Sequence, residues 1–277
     1  MAEKPLQQPF GQQAGTGTEN SWSGLRRFTD ARIGLGRTGS SLTTQQMLAF
    51  QMDHANARDA VHIPLDLNRL QAELPAETER LLLNSQAVNR QTYLQRPDLG
   101  RALSAESRQC LQQLYSADAP VYNAAIVIAD GLSSTAVQAH AARMTRHIVD
   151  ALSERDFRIA PLCLVNQGRV AIGDEIGQLL GVELLILMIG ERPGLSSPDS
   201  LGIYYTYQPR VGLQDSSRNC ISNIRPAGLS FQDATDKLIW LIGQSIRIRQ
   251  SGVMLKDESE PVEALSETER PCFLLDG

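Results

Sequence analysis

Aromatic side chains make up only 5% of this 277-residue chain, so aliphatic residues must supply most of any core. Histidine is scarce at four copies, and so is cysteine: Cys110, Cys163, Cys220 and Cys272 stand far apart. No C-x-x-C and no His-x-x-x-His spacing occurs, so nothing points to a zinc site, and the expected metal ligands are none. Basic charge is also short: Lys and Arg number 26 against 31 Asp and Glu, a formal net charge of -5. That balance argues against nucleic acid as a partner, because binding to it rests on neutralising phosphates with a basic face. Long apolar runs are missing too. The longest, Val182 to Ile189, is interrupted by Glu183 and is far too short to span a bilayer. The first residues lack the apolar stretch of a secretory signal. These absences lead us to expect a cytoplasmic protein with reduced thiols and no membrane partner.

What is present is an ordinary globular composition, 42% hydrophobic and 21% charged, enough for one or two cores. Residues 1–30 are rich in Gln, Gly, Pro and Thr without periodicity and read as a flexible N-terminal arm. Residues 257–277 carry seven acidic side chains against Arg270 alone and read as an acidic flexible tail. Residues 31–100 read as a small helical region, with one helix from Thr43 to Val61 and a second from Pro75 to Asn84, where Pro at the start is tolerated. No strand pattern stands out there.

From residue 101 to 256 the character changes. Val121 to Ala129 is an apolar run rich in β-branched residues, closed by Asp130-Gly131. A helix follows from Thr135 to Leu152, with Val137, Ala141, Met144, Ile148 and Leu152 on one face. Ile159 to Val165 and Val182 to Ile189 read as further buried strands, separated by a short helix, Asp174 to Leu180. Shorter strands fit Ile203 to Tyr207 and Cys220 to Ile224, and a helix from Gln232 to Gln250 turns Leu238, Leu241, Ile242 and Ser245 inward. Strands buried on both faces and alternating with helices imply parallel pairing. The expected fold is α/β, a Rossmann-like open and mainly parallel sheet flanked by helices, with the small helical region before it. Such sheets bind ligands beyond the carboxyl ends of their strands. Here those ends are Asp130-Gly131-Leu132-Ser133, Asn166-Gln167-Gly168-Arg169 and Gly190-Glu191-Arg192-Pro193-Gly194, all polar or glycine-rich.

Candidate chemistry is thin. Gly34-Leu35-Gly36-Arg37-Thr38-Gly39 spells G-x-G-x-x-G, but only Ala31-Arg32-Ile33 precedes it, and no second strand follows at βαβ distance. A loop entering a helix is the better reading, with Arg32 and Arg37 free to meet a partner or a phosphate. Gly131-Leu132-Ser133-Ser134-Thr135 lacks the second glycine of a nucleophile elbow, which leaves Ser134 as a helix N-cap. His140 and His147 share a helix face without further ligands. We therefore expect no catalytic residue on this chain. Glu191 either pairs with Arg192 in a strand-to-turn transition or faces the crevice as an acceptor for amide or hydroxyl donors. Around Cys220, apolar and small polar residues alternate as in a half-buried strand that presents Cys220, Ser222 and Arg225 outward.

Six strings then carry a resemblance. They are R-I-G-L-G-R-T-G from Arg32, Y-L-Q-R-P-D-L-G-R from Tyr93, I-A-D-G-L-S-S from Ile128, G-R-V-A-I-G-D-E-I-G from Gly168, I-G-E-R-P-G-L from Ile189 and R-N-C-I-S-N-I-R from Arg218. In this order and spacing, from about Ala31 to Ser251, the chain resembles the small subunit of ethanolamine ammonia-lyase. The resemblance implies a carbon–nitrogen lyase complex that converts ethanolamine to acetaldehyde and ammonia by a radical mechanism with adenosylcobalamin. It implies a large subunit that holds the substrate and supplies the catalytic side chains, so that this chain alone is inactive. It further implies a heterododecamer of six subunits of each kind, with the cobalamin between small and large subunits and residues 101–256 as the cobalamin-binding domain.

The resemblance also carries three cofactor contacts onto this sequence: the valine of G-R-V, Val170; the glutamate of G-E-R-P-G-L, Glu191; and the cysteine of C-I-S-N-I, Cys220. The chain has no D-x-H-x-x-G string, which implies that cobalt keeps the cofactor's own dimethylbenzimidazole as its ligand. Some members of the family enter bacterial microcompartments through an N-terminal helix. Met1 to Asn20, with Pro5 and Pro9, opposes an amphipathic helix, so no encapsulation signal is evident. Two alternatives stay open at this point: a nucleotide-dependent Rossmann oxidoreductase built on Gly34 to Gly39, and a purely structural assembly subunit.

Overall fold

The computed structural model describes residue 25 and residues 31–115 and 121–256; the expected N-terminal arm, apart from Leu25, and the acidic tail lie outside the described residues. The chain divides into two compact units, residues 1–59 with 194–197, and residues 60–193 with 198–277.

In the first unit, β1 (Arg37–Thr38) and β2 (Ser41–Leu42) form an exposed antiparallel hairpin ahead of helix α1 (Thr44–His62). Gly39, at φ 61°, supplies the left-handed turn between them. The last glycine of the G-x-G-x-x-G string thus serves a two-stranded hairpin, while Gly34 and Gly36 precede it. No buried strand precedes it among the described residues, which removes the structural context for a dinucleotide site. Arg32 pairs with Asp53 and lies over the Phe50 ring, 4.8 Å from its centroid.

The second unit is α/β, built on a mixed six-stranded sheet of order β3-β5-β4-β6-β7-β8 flanked by helices. Strands β4 (Ala124–Ala129), β5 (Leu162–Asn166) and β6 (Leu184–Gly190) run parallel, as the buried apolar runs predict, and β3 (Arg80–Asn84) joins them in parallel at the β5 edge. Strands β7 (Leu201–Tyr207) and β8 (Asn219–Ile224) pair antiparallel. Parallel pairing therefore stops at β6, because the ten residues 191–200 between β6 and β7 hold no crossover helix and the chain turns straight back.

Alternation along the strands sorts the core into two layers. Ile126, Ile128, Ile186 and Met188 pack with α2 (Leu67–Glu73), α5 (Ser134–Ser153) and α7 (Phe231–Ile248). Ala125, Val127, Leu185 and Leu187 face the other way, toward α4 (Ala105–Leu114) and α6 (Ile172–Leu180). The predicted inner faces of the two long helices are both buried: Val137, Ala141, Met144, Ile148 and Leu152 on α5, and Leu238, Leu241, Ile242 and Ser245 on α7.

The helix expected from Pro75 to Asn84 is a correction. Thr78 closes a turn onto the Pro75 carbonyl, its hydroxyl donating at 2.7 Å, and residues 80–84 continue as edge strand β3. Leu81-Leu82-Leu83 favours a helix by propensity, but the register Leu81↔Cys163 and Leu83↔Val165 buries Leu83 and leaves Leu82 53% exposed. Tertiary pairing overrides local preference here. The short helix α3 (Arg90–Gln95) follows, capped by the Asn89 side chain on the Thr92 N–H.

Candidate functional site

Adjacent strands β4 and β5 feed helices on opposite faces of the sheet, α5 and α6, so their carboxyl ends part and leave a crevice. Glycines set how closely the surrounding backbones approach. Gly131 adopts φ 61°, and a Cβ there would come within 2.3 Å of the Gly190 carbonyl oxygen. A Cβ on Gly190 would stand 1.9 Å from the Ser133 carbonyl oxygen. The Leu132 N–H donates to that Gly190 carbonyl at 2.9 Å, so the ends of β4 and β6 lock together.

Tyr93, from α3, is fully buried beside this junction, and its hydroxyl donates to the Gly168 carbonyl at 3.1 Å. The guanidiniums of Arg90 and Arg169 lie 4.8 and 4.2 Å from its ring centroid. Burial holds the Tyr93 phenol well above its ordinary pKa, so it remains a neutral donor. Arg169 also donates to the Tyr93 carbonyl at 3.3 Å, while its Nε is buried without an acceptor among the described residues. Gly100 makes room for this stack: a Cβ there would meet the Arg169 Cγ at 2.8 Å. Asp130 lies beneath, accepting from the N–H groups of Gly131 and Gly168 at 3.0 and 3.1 Å, with Arg90 at 3.4 Å. Burial pushes the Asp130 carboxyl up to about 6 despite the Arg90 guanidinium.

The resulting cavity measures about 450 Å³, with an apolar wall of Leu132, Val170, Ile189 and Tyr204 and a polar side of Arg169, Glu191 and Arg192. A neighbouring cavity of about 330 Å³ shares Arg169, Val170 and Tyr204 and adds Arg101, Asp215 and Arg218. Volumes in this range are typical of small-molecule clefts.

Two of the three residues singled out from sequence, Val170 and Glu191, line the larger cavity directly. The third, Cys220, stands opposite Tyr204 in the β7–β8 register and is exposed. Although its residue is open to solvent, protein packed around the sulfur raises the thiol above its ordinary pKa. The Tyr204 hydroxyl pulls the other way through a hydrogen bond, and the Glu191 carboxylate adds to the rise. Glu191 does not pair with Arg192. Its carboxylate accepts from the Ser200 and Ser222 hydroxyls, each at 2.5 Å, and from the Asn223 N–H at 3.1 Å. Gly202 permits this approach, since a Cβ there would sit 2.9 Å from the Glu191 Oε1.

Other candidate residues lie elsewhere. The N-cap of α5 is Ser133, whose hydroxyl accepts from the Ala136 N–H. Ser134 is the first helical residue and bonds the Ile63 carbonyl instead. His140 contacts the Asp199 carboxylate at 2.9 Å, and both His140 and His147 pack against Phe231. Behind the crevice, Arg218 inserts into the protein, bonding Asp174 at the start of α6 and Asp215 at 2.7 Å. Tyr93, Arg101 and Tyr204 line the cavities without any sequence motif that marks them as site residues. β7 is buried along all of its length but Tyr204, so no alternation sets that residue apart in the sequence, and Tyr93 meets Gly168 across 75 positions of chain that no local pattern connects.

Fold and crevice together define an α/β protein with a preformed, arginine-lined cleft at the carboxyl ends of its parallel strands. No group of three or more His, Cys, Asp or Glu side chains that could hold a metal occurs among the described residues. The chain belongs to the ethanolamine ammonia-lyase small (light) subunit family: the family profile for the ethanolamine ammonia-lyase light chain matches residues 19–256. It is 52% identical over 262 residues to the ethanolamine ammonia-lyase small subunit of Ralstonia nicotianae, covering 94% of this chain and 96% of the relative. The Azotobacter vinelandii small subunit is 53% identical over 244 residues, covering 88% and 90%. That of Pseudomonas syringae pv. tomato is 46% identical over 285 residues, covering 100% and 98%. No helix among the described residues is long and apolar enough to cross a membrane.

Proposed function

We propose that this chain is the cofactor-clamping small subunit of an adenosylcobalamin-dependent ethanolamine ammonia-lyase, a complex that releases acetaldehyde and ammonia from ethanolamine. The observation that carries the reading is spatial. Val170 and Glu191 line one cavity, and the cross-strand neighbour of Cys220, Tyr204, lines it with them. The parallel half of the sheet, with its cleft at the β4 and β5 carboxyl ends, agrees with a Rossmann-like ligand site.

The residues suit a corrin edge. Corrin carries a ring of carboxamides on an apolar frame, so it needs apolar surface interrupted by acceptors and donors. Val170, Leu132, Ile189 and Tyr204 offer the first, the Glu191 carboxylate an acceptor, and the Arg169 and Arg192 side chains donors. A cavity of about 450 Å³ is too small to enclose a whole corrin, which leaves the opposite side to a large subunit. Bound there, the cofactor supplies the radical chemistry by which the amine leaves. This chain's residues bind and orient. Glu191 is fixed by Ser200, Ser222 and Asn223, so it meets carboxamide N–H groups without reorganising. Val170 and Tyr204 keep water from the face they cover.

In this reading the chain is inactive alone, binds cobalamin weakly without its partner, assembles as six small with six large subunits, and works in the cytoplasm. Substrate contacts fall to the large subunit. The test is cobalamin titration of the complex reconstituted with the large subunit, with acetaldehyde release measured in parallel. Glu191→Gln, Val170→Ala and Cys220→Ala should each weaken cobalamin binding. Unchanged affinity in all three would leave an assembly subunit that does not touch cofactor. Acetaldehyde release by this chain alone would overturn the division of labour.

A further inference from the structure

The donors that hold Glu191 lead back to a second carboxylate, that of Asp199. Ser200 follows Asp199 in the chain, and its hydroxyl donates to the Glu191 Oε2 at 2.5 Å. From β8, the Asn223 N–H donates to the same oxygen at 3.1 Å. Asn223 sits at φ 61°, in the left-handed region that few residues other than glycine adopt. Its Oδ1 accepts from the Arg225 Nε at 2.9 Å. The Arg225 guanidinium in turn lies 4.0 Å from the Asp199 Oδ1. A ring therefore closes through Asp199, Ser200, Glu191, Asn223 and Arg225. Asp199 is itself tied to helix α5. Its Oδ2 accepts from the His140 Nε2 at 2.9 Å, and His140 is buried against Phe231. The preceding carbonyl, that of Pro198, accepts from the Ser133 hydroxyl at 2.7 Å. Neither Asp199 nor His140 lines either cavity of the crevice.

We propose that Asp199 is a positioning residue for Glu191: it fixes the rotation of that carboxylate so that its open acceptor position meets a carboxamide N–H of the cofactor. This rests on the cobalamin reading above and deepens it. A carboxylate offers about four acceptor positions, and three of those on Glu191 are taken, two on Oε2 and one on Oε1 by Ser222. The remaining position lies on Oε1, so its aim depends on how the group is turned. Two routes carry the influence of Asp199, one through Ser200 and one through Arg225 and Asn223. Both lose their anchor when the Asp199 carboxylate is removed. Glu191 then reaches the ligand only after being reordered, which lowers affinity although no ligand contact has been deleted.

The test is a double-mutant cycle in the complex with the large subunit. Equilibrium binding of cyanocobalamin is read from the visible absorbance of the corrin retained with protein. Asp199→Ala should weaken binding roughly three- to ten-fold in the wild-type background, and by less than about two-fold once Glu191→Ala is present. A merely structural contribution from Asp199 would lower affinity equally in both backgrounds. Asp199→Asn keeps the side-chain shape and an acceptor for His140, so it should lose less than Asp199→Ala in the wild-type background. Size-exclusion chromatography checks assembly of each complex. Where Asp199→Ala does not assemble, Asp199→Asn carries the same cycle, with the same non-additivity expected. Equal losses in both backgrounds, or no loss in either, would overturn the positioning role and leave the cofactor reading intact. Unchanged cyanocobalamin affinity in Glu191→Ala alone would instead defeat the Glu191 contact, and the positioning role with it.

Discussion

Tyr204 and Cys220 face each other across β7 and β8, which places an exposed thiol directly beside a phenol that lines the crevice. The relationship makes Cys220 a reporter of the site. Its raised pKa keeps the thiolate scarce near neutrality, so alkylation should be slow at pH 7 and accelerate toward pH 9. In the complex with the large subunit, bound cyanocobalamin should slow alkylation of Cys220 by roughly ten-fold, as exclusion of reagent from the thiolate requires. Peptide mapping by mass spectrometry reads Cys220 against Cys110, the other exposed thiol among the described residues. Labelling of Cys220 at the same rate with and without cobalamin would remove it from the contact surface.

Two glycines should respond in opposite directions to the same substitution. Gly190→Ala puts a methyl group 1.9 Å from the Ser133 carbonyl oxygen and 2.8 Å from that of Asp130, both backbone atoms that no rotamer change can move. We expect a loss of at least about 3 kcal/mol, at the severe end for a single substitution. Gly243, within α7, meets nothing within 4 Å. There Gly243→Ala should add about 0.5–1 kcal/mol by removing backbone freedom from the unfolded chain. Urea denaturation of both variants checks the pair. A neutral Gly190→Ala would mean the β4 and β6 ends are not locked as described.

The contrast between these glycines also marks what the sequence alone could and could not reveal. Elements buried on both faces announced themselves: β4, β5 and β6 as unbroken apolar runs, α5 and α7 as apolar residues at steps of three and four. Edge strand β3 did not. Leu82 faces solvent and Leu83 the core, so three consecutive leucines hide the alternation that would identify a strand. Antiparallel β7 was visible as a strand but its direction was not, because direction depends on the short 191–200 return and not on side-chain type. Val170 and Glu191 were placed on the crevice by strand ends and family strings alike. Tyr93 was harder: it reaches the site only because α3 packs a helix from the first hundred residues against loops seventy positions later.

Asp130 should leave a pH signature. Its carboxyl rises from an ordinary 3.8 to about 6 in the folded protein, with burial as the main cause and Arg90 opposing it. A raised carboxyl binds protons more readily folded than unfolded, so its contribution favours the fold below about pH 4 and is lost as the pH climbs through 6. Asp130→Asn removes that titration. The stability of wild type relative to Asp130→Asn should therefore be greater at pH 4 than at pH 7, by on the order of 3 kcal/mol. The constant offset from placing an amide near Arg90 cancels in this difference. A wild-type-minus-variant stability that is flat between the two pH values, or that rises toward pH 7, would contradict the burial argument.

Arg218 and Asp174 define the last expectation, since their side chains are 2% and 3% exposed. Taking both charges out of water is costly, and their attraction offsets that cost only while both are present. Burial raises the Asp174 carboxyl even against the adjacent guanidinium, which shows how strongly the site disfavours a lone charge. Arg218→Met should therefore cost about 3–5 kcal/mol, because it strands Asp174 under the first turn of α6. Adding Asp174→Asn should return a large part of that loss, on the order of half, although each single change is destabilising. Thermal unfolding of the two single variants and the double variant measures the coupling. Strict additivity would mean the two charges act independently, and α6 would then depend on its apolar face alone to hold Val170 and Ala171 against the crevice.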